Sequence, residues 1–386
     1  MSTRSLVALL MVPGLGFGTP HALGAQPRWA VTREPTVELK AAGDAAHPFH
    51  RPVGAVRLAN GTIVVADAHA GSISFFSATG SLIRSTGRTG DGPGEFRHIA
   101  WLGRCGKEEV YVWDVMRRRI VVLSQAGDFV REFAAANGTL TGSAESVACS
   151  PAGSLLFHGT PRLSGATAAE RAAVVSGTAG FWFIDDDGRV AGRIAPMPTG
   201  EYLIIGGGSG PRPLGRSIVF AVASKRAYVA ASDTDSLKVF SHDGSQLQSI
   251  GLSLSSRRAT PLHYQRAIED IVSNIRGARM SNLVREEMQQ LPRPPLLPLM
   301  SGLAVDDDGL VWIITSVAGD PATRFVVVDS AGNRVATVDE VPVQMKVTDV
   351  GHDYILGVHT DSEGEARVVS FGLQRSAPVR RSGVRP

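Results

Sequence analysis

Histidine and aspartate residues recur at or just after the end of the second strand in a series of β-rich segments. They are Asp67, His69, Asp114, His158, Asp233, His359 and Asp361. Imidazole and carboxylate groups are the ligands that zinc and other divalent metals bind. If the strand ends meet at one face of the molecule, the candidate metal ligands are Asp67, His69, Asp114, His158 and His359. The local alternative is that a strand-end Asp accepts hydrogen bonds from the next turn, and no His-x-x-x-His pair is present.

The two cysteines, Cys105 and Cys149, occupy equivalent sites in neighbouring β segments. In an exported chain this arrangement predicts a disulfide that staples the two segments together. The alternative stays open, because a Cα separation beyond about 7 Å would prevent the bond. The sequence has no Cys-x-x-Cys pair, so we expect no redox site.

Three segments resemble ligand-binding loops in composition, but their lengths and contexts are more typical of turns. The acidic runs at 185–188 and 306–309 are shorter than an EF-hand loop and lack its closing Glu, so they predict hairpin turns rather than calcium sites. The glycine-rich run 87–94 leads into a strand, whereas a phosphate-binding loop needs a helix N-terminus and a Lys. No nucleophile elbow is present.

The elements that position these residues form a repeat of about 45 residues. Each copy has two apolar strands, a Gly turn and a further strand. The strand pairs of the clear copies are 62–67 with 72–76, 109–114 with 119–123, 226–231 with 236–240, and 310–314 with 324–328. Looser copies cover 154–188 and 353–371. The pattern predicts an all-β, six-bladed β-propeller over residues 26–374.

One segment interrupts the strands. Between about 258 and 291 apolar residues recur at spacings of three to five, which predicts one or two amphipathic helices between blades. Thr260 and Pro261 form a helix start signal, and Pro292 a stop signal. The insertion is interpreted either as a cap over apolar surface or as a lid or partner-binding element.

The last copy lacks its outer strand, which would leave a row of unpaired backbone groups on the ring. The segment from Trp29 to Lys40 alternates apolar and polar residues and is placed to supply that strand. We therefore predict that the N-terminal strand closes the last blade. The residues after the last blade, 375–386, include four arginines among Ser, Gly and Pro. This composition predicts a disordered basic tail.

Residues 1–25 have the layout of a secretory signal peptide, with Arg4, an apolar run and small residues before a cleavage site. Its removal takes away one of 39 basic residues and none of the 36 acidic ones, so the formal charge of +3 becomes +2. This balance argues against a nucleic-acid partner. No later stretch is long and apolar enough to predict a transmembrane segment. We expect an exported monomer, periplasmic or extracellular.

The run Gly92-Pro93-Gly94-Glu95-Phe96, followed by the strand pair that ends at Asp114 and by the Gly127 turn, resembles the NHL repeat, in which such a stretch opens each blade. With the helical insertion and the Pro-rich stretch 291–295, the whole mature chain resembles exported bacterial six-bladed propellers related to NHL proteins. The resemblance implies a fold and an export route, and carries over no activity.

Two functions compete at this point. The first is a non-catalytic scaffold, without a cofactor, that binds a protein, peptide or glycan in the cell envelope or outside the cell. The second is a metal-dependent hydrolase or lyase, whose divalent metal would be held at the channel mouth by some of the strand-end candidates. Metal analysis after purification without chelator separates them.

Overall fold

The computed structural model describes most of the predicted propeller. The described residues are 27–40, 49–106, 109–134, 144–149, 153, 155–159, 162–164, 172–185, 187–205, 208–224, 226–273, 275, 277–361 and 363–376. The predicted signal peptide and most of the predicted tail lie outside them. Within these residues the strands form six antiparallel sheets, the blades of a six-bladed β-propeller.

Blades 1 to 3 follow one another along the chain. Blade 1 contains β3 (Pro52–Arg57), β4 (Ile63–Asp67), β5 (Ser72–Phe76) and β6 (Leu82–Thr86). Blade 2 contains β7 (Ile99–Cys105), β8 (Glu109–Asp114), β9 (Arg119–Leu123) and β10 (Phe129–Ala134). Blade 3 contains β11 (Ala144–Cys149), β12 (Leu155–Gly159), β13 (Arg162–Ser164), β14 (Ala172–Ile184), β15 (Val190–Ile205) and β16 (Gly208–Pro211).

The two helices lie between blades 4 and 5, and the N-terminal strands complete blade 6. Blade 4 contains β17 (Ile218–Ala223), β18 (Arg226–Ala231), β19 (Ser236–Ser241) and β20 (Gln246–Gly251). Helices α1 (Pro261–Val272) and α2 (Ala278–Gln290) follow. Blade 5 contains β21 (Gly302–Val305), β22 (Val311–Ile314), β23 (Thr323–Val328) and β24 (Arg334–Val341). Blade 6 contains β25 (Lys346–Val350), β26 (Tyr354–Thr360) and β27 (Ala366–Gln374), with β1 (Ala30–Val31) and β2 (Val37–Leu39).

The blades bury their faces against each other, which explains why the second strand of a blade is apolar on both sides. All five residues of β4 are buried, whereas the outer strand β6 is exposed. Phe96, which follows the glycine-rich run, is buried in the cluster shared by blades 1 and 2. Within that run Gly94 has a φ of +71°, whereas Gly92 does not need a positive φ and instead donates its N–H to the Glu95 carboxylate.

The N-terminal segment closes the ring, as predicted. Both β1 and β2 pair with β27 and so supply the missing outer edge of blade 6. Just before them, the Trp29 N–H donates to the carbonyl of Thr337 in blade 5, at 3.0 Å. The Trp29 ring is buried with its centroid 5.6 Å from that of Trp312. The segment 27–40 therefore joins blades 5 and 6.

The predicted boundary of the tail at residue 375 is wrong, because Arg375 belongs to the propeller. Its guanidinium bonds Asp306 at 2.9 Å and Asp308 at 2.8 Å, and lies 4.7 Å from the centre of the Trp29 ring. Only 12% of the side chain is exposed. The physical reason is that Asp306 is buried and takes a cationic partner that composition alone does not reveal.

The predicted helical insertion is confirmed, and the Thr260 hydroxyl caps α1. In blade 3, β12 pairs only with residues 181–184 of β14, so residues 172–180 and their β15 partners extend past it. Apolar residues at the end of this extended hairpin share a buried cluster with α1 and α2. We name the extended hairpin (172–180 with 197–205) and the two helices the rim wall.

The rim wall is fastened to blade 5 by a carboxylate. Asp320 accepts two hydrogen bonds of 2.8 Å from Arg257 and faces His263 of α1 at 3.3 Å. Burial alone would raise the pKa of Asp320, but the bonds from Arg257 and a backbone N–H lower it to about 2. The rim wall therefore spans blades 3 to 5. In the described chain no helix is long and apolar enough to cross a membrane.

Candidate functional site

The inner strands of the six blades, β3, β7, β11, β17, β21 and β25, surround a central channel. A cavity of about 240 Å³ lies between them and is lined by residues of all six. The inner strands touch in ring order, so the cavity lies on the axis of the propeller. A central channel is where a propeller brings together residues that are distant in sequence, and its two ends are the places where a site can form.

The inner strands run in the same direction, which gives the ring two different faces. Arg51 and His98 directly precede β3 and β7 and contact each other at one end of the channel. Arg104 and Asp307, near the ends of β7 and β21, contact each other at the opposite end. We call the face where the inner strands begin the top face, and the other the bottom face. The rim wall rises from the top face.

A cross-channel ion pair closes the bottom of the channel. Arg104 of blade 2 donates to Asp307 of blade 5 at 2.5 Å, and its Nη2 lies 3.9 Å from the carboxylate of Asp349 in blade 6. The side chains of Arg104 and Asp349 are only 19% and 12% exposed. A partly buried charge triad of this kind links three blades across the axis.

The Asp349 carboxyl group is enclosed at the channel floor. It accepts hydrogen bonds from the Arg57 N–H at 2.9 Å and from the Tyr354 hydroxyl at 2.6 Å. Burial raises the pKa of Asp349, and the charge of Arg104 opposes this only in part. The floor is therefore occupied by a network of hydrogen bonds and ion pairs that joins blades 1, 2, 5 and 6.

The top end of the channel, which we call the channel mouth, is cationic. Lys346 begins β25 and donates from Nζ to the Val53 carbonyl at 3.1 Å. Its side chain is exposed to the channel space but surrounded by the inner strands. Burial, followed by the charge of Arg51, lowers the pKa of Lys346. Arg51 in turn donates to Nε2 of His98 at 3.2 Å.

The strand-end aspartates act within their own blades. One oxygen of Asp67 accepts the N–H groups of His50 and Arg51, and the other those of His69 and Ala70. Asp114 repeats the arrangement one blade later, with the N–H groups of Arg97, His98 and Arg117 as donors. Each carboxylate therefore fastens the start of an inner strand to the following loop.

The three candidate histidines lie apart from one another in different settings. His69 stacks near His50, with ring centroids 5.0 Å apart. His158 is only 2% exposed, packs against Phe181 and Phe220, and burial lowers its pKa to about 4.

Nδ1 of His359 donates to the Gln344 carbonyl at 2.8 Å. Over the part of the chain that the structure describes, no three His, Cys, Asp or Glu side chains are placed to hold a metal. The five predicted candidates, Asp67, His69, Asp114, His158 and His359, are therefore not brought together as one site. They share the top end of their blades but belong to four different blades.

Cys105 and Cys149 form a disulfide, with their Cα atoms 5.7 Å apart. The bond joins the last residues of β7 and β11, the inner strands of blades 2 and 3. It lies beside the channel, since Cys149 contributes to the cavity lining. The covalent link holds the two blades next to Arg104, the residue that reaches across the floor.

Sequence reasoning missed the groups that define the two ends of the channel. Arg51 and His98 directly precede inner strands, and Lys346 begins one, so a shared position at the start of the inner strand is the signal that would have found them. Arg104 and Asp349 lie near inner-strand ends, where the repeat pattern carries no comparable marker. Their partners come from other blades, and sequence distance conceals such pairs.

Residues 50–162 match a family model described as a 6-bladed beta-propeller. No curated protein matches the chain in sequence. Solved structures with a similar course include a Bacteroides fragilis protein inferred to be exported, with 11% identity, a TM-score of 0.49, and coverage of 90% of this chain and 96% of that chain. A member of the duf4221 family from Bacteroides vulgatus shares 9% identity, with a TM-score of 0.48 and coverage of 91% and 100%.

Virginiamycin B lyase from Staphylococcus aureus shares 12% identity with a TM-score of 0.42, and the alignment covers 90% of this chain and 100% of the lyase. Similarity at this level carries no information about a ligand or a reaction.

Proposed function

We propose that this protein is an exported propeller that binds a protein, peptide or glycan ligand on its top face, over the channel mouth. The observation that carries the proposal is the asymmetry of the channel. Its bottom is plugged by Arg104, Asp307 and Asp349, whereas its top is bordered on one side by the rim wall and on the other by Lys346 and Arg51. Long insertions on a rigid scaffold are where binding surfaces are built.

Two features support the proposed export. The N-terminal 25 residues have the layout of a signal peptide. The disulfide between Cys105 and Cys149 is of the kind that persists in oxidising compartments. The relationship to NHL-repeat proteins stays part of the proposal and rests on the glycine-rich run before blade 2.

A metal-dependent hydrolase or lyase is the competing function, and no contact among the described residues favours it. Both oxygens of Asp67 and of Asp114 accept backbone hydrogen bonds, and His158 is enclosed by aromatic rings. A bound ion would therefore need ligands from elsewhere in the chain.

The binding proposal is tested by screening the mature chain on arrays of envelope glycans and peptides, and by mapping each hit with hydrogen–deuterium exchange. We expect ligand-dependent protection in the rim wall and at the start of β25, with the outer strands β6 and β10 unchanged as internal controls. Arrays without a hit, or protection confined to the bottom face, would contradict the proposal.

A further inference from the structure

The channel mouth holds two neighbouring cations without a balancing acid. Among the residues that the structure describes, neither Lys346 nor Arg51 forms an ion pair with a carboxylate, in contrast to Arg104, Arg257 and most other described arginines. Lys346 bonds the Val53 carbonyl, and the Arg51 guanidinium bonds the His98 imidazole. Two like charges held together in a partly enclosed space repel each other.

Two acidic groups at the top of neighbouring blades are already engaged. Asp67 and Asp114 stand at the same end of blades 1 and 2, but each gives both oxygens to backbone N–H groups. Neither carboxylate is therefore a hydrogen-bond partner of the Lys346 ammonium or of the Arg51 guanidinium, and an external anion can take that place.

Both cations also have hydrogen-bond donors that are not used at the channel mouth. Nε of Arg51 is buried and has no hydrogen-bond partner among the described residues. Lys346 uses one of the three donors of its ammonium group. A buried, unsatisfied donor calls for an acceptor, because leaving it unpaired costs free energy. Lys346 lines the cavity, and Arg51 directly precedes β3, whose Val53 also lines it.

The size of the cavity limits what can occupy it. At about 240 Å³ it is smaller than the pockets that enclose drug-sized ligands, typically about 300–1,000 Å³. It therefore suits one end of a larger molecule whose remainder lies along the rim wall.

We propose that the channel mouth binds the anionic end of the ligand, a carboxylate or phosphate group, through Lys346 and Arg51. The inference rests on the proposed binding function and names the chemistry of the group that enters the channel. A carboxylate would come from a peptide C-terminus or an acidic sugar, and a phosphate from a phosphorylated glycan. Charge-assisted hydrogen bonds from Arg and Lys recognise both groups.

The test is isothermal titration of the mature chain with inorganic phosphate and with sodium glucuronate, at constant ionic strength because salt screens such contacts. Glucose serves as the uncharged probe. We expect saturable binding of at least one of the two anions and none of glucose. Lys346→Met and Arg51→Met should each weaken that binding by about tenfold or more. Preference for glucuronate or for phosphate distinguishes a carboxylate from a phosphate as the group that is bound.

Two variants control for fold and charge. Arg216→Met removes an arginine from the top of blade 4 whose charge is balanced by Asp233, so binding should stay within about twofold of the wild type. Lys346→Arg keeps the charge and should retain most of the affinity. Equal affinity in the wild type and Lys346→Met, or no saturable binding of either anion, would overturn the inference.

The two proposals fail in different ways. If array ligands protect the top face while Lys346→Met binds them as well as the wild type, the binding function stands and the anionic group is wrong. The opposite outcome is that Lys346→Met no longer binds phosphate, while array ligands protect the bottom face from exchange. The anion site is then correct, but the proposed ligand-binding surface on the top face is wrong.

Discussion

Arg104 on the inner strand of blade 2 reaches across the propeller axis to Asp307 of blade 5, with Nη2 and Oδ1 2.5 Å apart. The same guanidinium is the cation closest to Asp349 of blade 6, at 3.9 Å. One side chain of blade 2 thus contacts blades 5 and 6, more than 200 residues further along the chain. Because the contact lies at the floor, it leaves the opposite end of the channel as the place where a ligand can enter.

Replacing Arg104 by Met should destabilise the protein by about 3 kcal/mol at pH 7, because the largely buried Asp349 loses its cation. The folded-state pKa of Asp349 is already raised by burial and would rise further. A raised carboxyl pKa makes the folded state bind more protons, so the loss should shrink as the pH falls and Asp349 becomes protonated. Urea unfolding at pH 7 and pH 4.5 measures both effects.

The matched control is Arg84→Met, since the pair of Arg84 with Asp128 is 42% and 64% exposed. Exposed pairs contribute about 0–1 kcal/mol, so this variant should behave like the wild type. Equal losses in the two variants would show that the floor pair has no special role.

Trp29→Ala should weaken ring closure. The ring is 7% exposed, packs on Trp312 and lies beneath Arg375, so its removal should cost about 3–5 kcal/mol. Glu34→Ala, at an exposed position of the same segment, is the control. Chemical unfolding gives the values, and removal of residues 27–40 should lower the thermal midpoint further. A truncated chain as stable as the intact one would refute closure by the N-terminus.

His158 should make stability fall in acid. Its pKa is about 4 in the folded protein against 6.5 for an ordinary histidine, so the unfolded chain binds more protons between these values. Stability should be fully present above pH 6.5 and decline towards pH 4, by roughly 3 kcal/mol from this group. His158→Phe, which keeps an aromatic ring beside Phe181, should flatten the profile.

His352→Gln is the control for this profile, because His352 is 71% exposed. We expect it to keep the slope of the wild type when free energies of unfolding are compared from pH 7 to pH 4. A slope in His158→Phe as steep as in the wild type would assign the acid sensitivity to other groups.

The disulfide should contribute about 4 kcal/mol, on the chain-entropy model for two cysteines 44 residues apart. The double variant Cys105→Ala, Cys149→Ala should therefore unfold at lower denaturant concentration. Wild type treated with a reductant should approach the same midpoint, while the reductant should leave the double variant unchanged. If neither the double substitution nor the reductant changed the denaturant midpoint, the disulfide would not stabilise the contact between blades 2 and 3.

Chelation should leave the protein intact. We expect no stoichiometric divalent ion after purification without chelator, and no change of thermal midpoint in EDTA, because the five candidate ligands are placed in separate settings. Elemental analysis of the wild type and of His158→Ala checks this. A stoichiometric ion that disappears in His158→Ala would favour the metal-dependent hydrolase or lyase.

The strand-end aspartates show which features a local sequence pattern can predict. Asp67 and Asp114 recur because each blade must fasten the start of its inner strand, and their partners lie within about 17 residues along the chain. The helix start at Thr260 is equally local, because a capping hydroxyl and Pro261 act on the first turn. Such features were predictable because the residues that decide them are close in sequence.

The repeated strand pairs, the inserted helices and closure by the N-terminal strand followed from the sequence alone, since apolar alternation, Gly turns and an unpaired edge are features of short segments. The charged groups at the two ends of the channel did not follow from the sequence. Arg104 meets Asp307 across 203 residues, and Arg51 acts on Lys346 from the opposite end of the chain. Only the closed ring brings these charges together, because electrostatic forces depend on distance in space and on the water excluded between groups, neither of which a linear pattern records.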